Sequence, residues 1–269
     1  MIKIDDIKNS LKRYNVDKIE KVKNGNHEYE VYIIYVDTKK YILKKINENE
    51  YKVLNYLKAS EINNVPNIIE KINIGNCTYI LYEYIVGEIL DGYSYTECKN
   101  LILSIAKIHK KLMNKKINDI RIIDTMKDYI ETNNEKDKVK IILDKLNNDK
   151  NKTLIHDDLI SYNVIGQNII DWEYGSIGCW ALDIGRFLGD LDEKSYSLRI
   201  NEQFKNNLIE EYSQFMNFDI NYTKKMILYA EVYNYYQVLA SYSKHNRKKD
   251  MWYEKNVEMM NKILNIINE

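Results

Sequence analysis

The spacing of apolar residues changes character near Gly87. Before it, β-rich runs at Glu28–Val36, Tyr41–Ile46, Ile68–Ile74 and Thr78–Ile85 alternate with short helical segments. Ile4, Ile7 and Leu11 share one face of a helix within Met1–Tyr14. Tyr51, Leu54 and Leu57 do the same within Asn47–Ala59, where Asn47 is a natural N-cap. The polar stretch Asp37-Thr38-Lys39-Lys40 reads as a hairpin connection, and Pro66, the only proline, marks a turn before the third strand. After Gly87 the helical period dominates. Thr96–Met113 carries Leu101, Ile105, Ile108 and Leu112 on one stripe, and Lys115–Leu146 reads as mostly helical. Lys152–Asp171 is short and β-like. From Phe187 onward the chain reads as long helices, broken near Asp192–Ser197 and Phe218–Asn221. The expected organisation is a unit over residues 1–87 and a helical unit over 88–269.

Composition narrows the function classes. With 269 residues, the chain can bury a large core. Forty Lys+Arg balance forty Asp+Glu, so no basic excess points to nucleic acid. No apolar run approaches the roughly 20 residues of a membrane span. Met1–Asn15 alternates charge with apolar residues, and the three cysteines, Cys77, Cys98 and Cys179, stand in no metal-ligand spacing. The expectation is a cytoplasmic protein with no membrane, nucleic-acid or obligatory protein partner. Only nine glycines fit a helical chain, and the 24 tyrosines read as composition bias from an AT-rich genome.

The informative stretch is Leu154-Ile155-His156-Asp157-Asp158-Leu159-Ile160-Ser161-Tyr162-Asn163, followed by Ile169-Ile170-Asp171-Trp172-Glu173. The apolar pairs Val164-Ile165 and Ile169-Ile170 flank Gly166-Gln167-Asn168. A hairpin there brings Asn163 and Asp171 to one end. Hard oxygen ligands in that arrangement suit Mg²⁺.

His156-x-Asp158-Leu159-x-x-x-Asn163 resembles the catalytic loop of the aminoglycoside phosphotransferase and choline kinase superfamily, and Ile170-Asp171-Trp172-Glu173 resembles its metal motif. Gly178 and Asp183-Ile184-Gly185-Arg186 sit where the family often has a glycine and an Asp-led segment. The resemblance covers roughly residues 20 to 190. It implies an α+β, bilobal protein-kinase-like fold, with a small antiparallel-sheet lobe and a mainly helical one. It implies a phosphotransferase that uses ATP and Mg²⁺, with GTP left open, on a hydroxyl of a small acceptor.

By that resemblance Asp158 is the catalytic aspartate, and Asn163 and Asp171 are the Mg²⁺ ligands. Lys44 in Tyr41-Ile42-Leu43-Lys44-Lys45 is the phosphate-binding lysine. Lys45, on the opposite face, is its competitor. Glu50 is the glutamate that pairs with it, with Glu48 as the alternative. Tyr79–Gly87 resembles the hinge strand, where backbone groups of Glu83 and Ile85 face the adenine. Lys23-Asn24-Gly25-Asn26-His27 stands in the place of the phosphate-covering loop. No Ala-Pro-Glu segment follows Asp171, which argues against a protein substrate.

One departure is Asp157, where the family commonly has Gly or another small or polar residue; its carboxylate either perturbs Asp158 or points to solvent. Other residues have plainer readings. His156 holds the loop, His109 is a satisfied helix-end histidine, and Asp183 accepts bonds from the catalytic loop with Arg186 on a nearby carboxylate. Tyr229, Tyr233, Tyr236 and Leu239 read first as helix packing and second as an aromatic wall for a cationic acceptor. Glu202, Glu210, Glu211 and Glu231 would serve an aminoglycoside instead. Lys244–Lys249 reads as a solvated helix end. The competing functions are a choline/ethanolamine-type kinase and a catalytically silent kinase-like binding module.

Overall fold

The computed structural model describes residues 2–22, 30–90, 94–126, 136–198, 202–244 and 251–268. The expected phosphate-covering loop at Lys23–His27 and most of the basic run at Lys244–Lys249 lie outside the described residues. Two compact units result: Met1–Ile89 with Val164–Tyr174, and Leu90–Asn163 with Gly175–Glu269.

The first unit holds α1 (Ile4–Ser10), β1 (Lys18–Lys21), β2 (Val31–Val36), β3 (Lys39–Lys45), α2 (Glu48–Ala59), β4 (Ile68–Ile74) and β5 (Cys77–Glu83). The five strands form one antiparallel sheet in the order β1-β2-β3-β5-β4. Asp37 takes a left-handed conformation (φ 51°) that lets a two-residue turn join β2 to β3. Because side chains alternate along β3, Leu43 faces one side of the sheet and Lys44 the other. On the Leu43 side, Ile7 and Leu11 of α1 complete a core with Tyr32, Ile34, Ile72, Ile74, Tyr79 and Leu81. The buried face of α2 carries Val53, Leu54 and Leu57, and the helix opens on the Asn47 cap, whose Oδ1 accepts from Glu50 N–H at 2.8 Å.

Residues 164–174 add a short hairpin to this unit, β7 (Val164–Ile165) with β8 (Asn168–Ile169), Val164 facing Ile169 across Gly166 at φ 60°. The Ile169 and Gly166 amides donate to the carbonyls of Asn64 and Glu88, which fixes the hairpin to the unit.

The second unit holds α3 (Tyr95–Leu112), α4 (Lys136–Asn147), β6 (Lys152–Ile155), β9 (Ser176–Cys179), α5 (Ala181–Leu198), α6 (Glu202–Met216), α7 (Ile220–Lys244) and α8 (Met251–Asn268). A capping box, Ser94 with Glu97, starts α3. At Gly185 on α5 a Cβ would lie 2.7 Å from the Ala230 Cβ, so glycine is what lets α5 and α7 approach. Tyr229, Tyr233, Tyr236 and Leu239 are all buried, as the packing reading expects. Among the described residues no helix is long and apolar enough to cross a membrane.

Two local expectations fail. The break near Asp192–Ser197 is absent, and α5 runs through to Leu198; no glycine or proline lies between Asp190 and Leu198 to stop it. Lys115–Met126, expected to be helical, is not. Asn114 and Asp119 are left-handed (φ 55° and 66°), and the chain beyond them is drawn beside β9: Ile177 N–H donates to Arg121 O at 2.8 Å and Ile123 N–H to Ile177 O at 2.9 Å. Tertiary backbone pairing overrides local helix propensity there.

Candidate active site

Each unit contains one charged centre. In the first, Lys44 Nζ lies 2.9 Å from both carboxylate oxygens of Glu50 and 2.5 Å from Asp171 Oδ1. β3 supplies the lysine, the first turn of α2 the glutamate, and the segment after β8 the aspartate. The Lys44 side chain is 12% exposed and that of Glu50 only 2%. Burial works against the charged ammonium, but Glu50 and Asp171 outweigh it and hold the Lys44 pKa above the usual lysine value. Burial pushes Glu50 upward, with Lys44 pulling it back. The Tyr82 hydroxyl reaches Glu50 Oε1 at 3.4 Å, and burial drives that phenol well above its ordinary range.

Asp171 adopts φ 64°. Behind it Trp172 is buried with its indole N–H on Ile169 O at 2.9 Å, and Asn49 Nδ2 donates to Glu173 O at 3.1 Å. These bonds fix the backbone on the far side of Asp171. Of the residues left open by sequence, Lys45 lies on the other face of the sheet, lining a cavity of about 740 Å³ with Glu30 and Tyr79, and Glu48 is exposed on Lys71. At the end of β5, Glu83 N–H is taken by Asn67 O at 3.2 Å, while the Ile85 amide has no backbone partner among the described residues.

The second centre is the loop between β6 and a 3-10 turn at Ser161–Asn163. Asp183, buried at the start of α5, organises it. Its oxygens accept the backbone N–H of His156 (2.9 and 3.0 Å) and of Asp157 (2.9 Å). His109 Nε2 lies 3.1 Å from the same carboxylate, and His109 Nδ1 2.8 Å from the Tyr212 hydroxyl. Helix α3, the loop, α5 and α6 therefore meet at one fully enclosed polar cluster. A buried carboxylate is tolerable only with such partners. Asp158 projects from the loop, 29% exposed. Arg186 Nε and Nη2 both reach its Oδ1 at 3.2 Å, and Asn163 Nδ2 donates to its backbone oxygen (2.9 Å) and to Oδ2 (3.2 Å).

Asp157 does not point to solvent. Its carboxylate meets Arg121 at 2.9 Å and is 11% exposed. Sequence reasoning did not find Arg121 or the His109–Asp183–Tyr212 chain. Arg121 lies in the stretch read as helix, and no spacing rule links residues 109, 183 and 212.

No family model matches the sequence, and no curated protein matches it. Solved structures do. Choline kinase LicA from Streptococcus pneumoniae superposes with TM-score 0.65 at 16% identity, covering 96% of this chain and 97% of that one. The chain has the kinase-like fold of the choline kinases and aminoglycoside phosphotransferases. An ethanolamine kinase from Plasmodium vivax superposes with TM-score 0.65 at 14% identity, covering 98% and 84% of the two chains. A thermostable aminoglycoside phosphotransferase mutant, solved as a ternary complex with ADP and hygromycin B, gives TM-score 0.64 at 12% identity over 96% and 97%. At these identities the likeness establishes the fold.

Proposed function

We propose that this protein is a small-molecule kinase, transferring the γ-phosphoryl group of ATP to a hydroxyl of a small acceptor. The observation that carries the reading is Lys44, buried and held charged between Glu50 and Asp171. Such a centre is costly to build. It is also what phosphoryl transfer needs, fixed positive charge for phosphate oxygens whose charge spreads in the transition state. Lys44 binds the phosphates, Glu50 orients it, and the backbone of Glu83 and Ile85 receives the adenine. Asp158 aligns the acceptor hydroxyl: its oxygen bonds to the γ-phosphorus as the bond to the ADP oxygen breaks, and its proton passes toward Asp158.

Asn163 and Asp171 fit Mg²⁺ as ligands. Both offer hard oxygens, and the Asn163 amide nitrogen is committed to Asp158, which leaves the carbonyl oxygen as the ligating end. When bound, Mg²⁺ supplies neutralising charge to the phosphates. The AMP complex of the pneumococcal choline kinase and the ADP–hygromycin B complex support a nucleotide donor and a small acceptor. For the acceptor, two of the four candidate acids carry lysine partners, Glu211 with Lys99 and Glu231 with Lys205, and the tyrosines of α7 are occupied in packing. The acceptor class is therefore decided by assay. Mg²⁺-dependent ATP consumption with amino sugars, choline and ethanolamine tests the reading. Turnover with one of them is expected; nucleotide binding without any turnover would establish the silent binding module instead.

A further inference from the structure

Asp157 is a carboxylate of the loop that the proposed reaction does not use, and it is costly in three ways. It is left-handed, at φ 65°, a conformation in which glycine, asparagine and aspartate are the least strained residues. It is nearly buried. It also sits among other acids, with Asp158 beside it and Asp183 beneath its backbone. Glycine would relieve all three, because only the backbone N–H is needed to hold the turn on Asp183. The side chain nevertheless makes one directed contact, with Arg121 Nη2 at 2.9 Å. Arg121 does not reach there by chance of a flexible arm alone. Its carbonyl accepts from Ile177, and Ile123 donates to the same residue, so its backbone is bridged to β9 at Ile122. Gly178 keeps this possible: a Cβ there would stand 2.5 Å from Ile123 Cγ2 and 2.8 Å from Ile155 Cδ1.

We infer that Arg121 and Asp157 are positioning residues, an ion-pair pin that ties the catalytic loop to the segment bridged to β9 and holds the left-handed turn from which Asp158 projects. The inference rests on the phosphotransferase reading for its catalytic consequence, and on the second unit alone for its geometry.

The pin is proton-sensitive. The groups facing Asp157 are Arg121 from the segment bridged to β9, Asp158 on its own loop, and Asp183 and Arg186 from α5, with His109 of α3 behind Asp183. Burial first, then Asp183 and Asp158, raise its pKa to about 7, against the pull of Arg121 and Arg186. The folded value lies above the unfolded one. Stability from this group is therefore complete below the ordinary aspartate range and is lost as pH rises toward 7 and through it. The pin forms only in that upper range, where Asp157 is ionised: the fold gives up stability to hold it.

The test uses the full chain with Asp157→Asn, which keeps the shape and accepts the left-handed turn, and Arg121→Gln. Carboxyl-carbon NMR should show one aspartate titrating near neutrality in the wild type, absent in Asp157→Asn, and displaced upward in Arg121→Gln. Melting temperature should fall between pH 5 and 8 in the wild type relative to Asp157→Asn. Exchange of the Asp158 amide should quicken in Arg121→Gln at pH 8. With any acceptor that is turned over, kcat at pH 6 should be about a tenth of its value on the alkaline plateau, the ionised fraction one unit below the midpoint, with the KM for ATP unchanged and the dependence lost in Asp157→Asn. If no ATP is consumed at any pH, the phosphotransferase reading fails, while titration and exchange still decide the pin. Titration of Asp157 with the other aspartates, or Asp158 exchange unaltered by Arg121→Gln, overturns the pin. So does a kcat profile shared by wild type and Asp157→Asn.

Discussion

The two charged centres are built on opposite terms. Around Lys44, the lysine and Glu50 are almost sealed from water and satisfy each other directly, so removing either strands the other, while Asp171 joins them from a side chain 32% exposed. Around Asp158, the carboxylate and its partner Arg186 stay about 30% exposed, and the sealed carboxylate lies one layer back, at Asp183. If Lys44 binds phosphate as proposed, the first centre makes stability and phosphate binding depend on the same atoms. The second separates them: a hidden aspartate holds the loop, and a partly exposed one is left for the proposed chemistry.

Lys44→Ala should break the comparison hardest. It leaves Glu50 buried without its cation, a situation that costs about 3–5 kcal/mol. Urea unfolding should show that loss, and nucleotide affinity should fall with it. A variant that stays as stable as the wild type would mean that water reaches Glu50 freely.

Asp183→Ala comes next. The His156 and Asp157 amides and His109 lose a common acceptor. With buried donors left unmet at about 1–3 kcal/mol each and partly rescued by entering water, a net loss of about 2–4 kcal/mol is expected. Amide exchange at His156 and Asp157 should accelerate by more than at the strands of the first unit. Uniform acceleration would show a global effect in place of a loop-specific one.

What could be read from sequence follows the same division. Residues whose partners lie close along one element were legible. Alternation along β3 put Lys44 and Lys45 on opposite faces, and the Asn47 cap placed Glu50 in the first turn of α2. The five-residue step from Asp158 to Asn163 survives as a direct side-chain bond. What was illegible depends on chain segments brought together from far apart. The His109–Asp183–Tyr212 chain spans 103 residues, and no local pattern encodes it. Arg121 was hidden because Lys115–Met126 has the composition of a helix, while its conformation is set by pairing with β9. Asp157 could be noticed as unusual, but which way its carboxylate turns depends on that same pairing.

Gly178→Ala addresses that pairing at smaller cost. The new methyl must displace Ile123 or Ile155, both side chains that can shift somewhat, so overpacking of about 1–2 kcal/mol is expected. The thermal midpoint should drop, and the Arg121–Asp157 contact should loosen along with it. If the midpoint moves while Asp157 still titrates as in the wild type, Ile155 has yielded and Ile123 has not.

Asp158→Ala should have the smallest effect on stability and the greatest on transfer. The ion pair it removes is about one-third exposed at both ends, and pairs of that kind contribute roughly 0–1 kcal/mol. Arg186 regains water, and Asn163 keeps its bond to the residue 158 carbonyl. A group that aligns or deprotonates an attacking hydroxyl typically contributes about 10²–10⁴-fold in rate. Unfolding in urea should therefore be nearly that of the wild type and nucleotide binding should persist, while transfer to the acceptor drops by at least two orders of magnitude. The pairing of these readouts matters more than either alone. If transfer and stability fell together, Asp158 would belong with Lys44 among the structural charges, and the separation between the exposed aspartate and the hidden Asp183 would be lost.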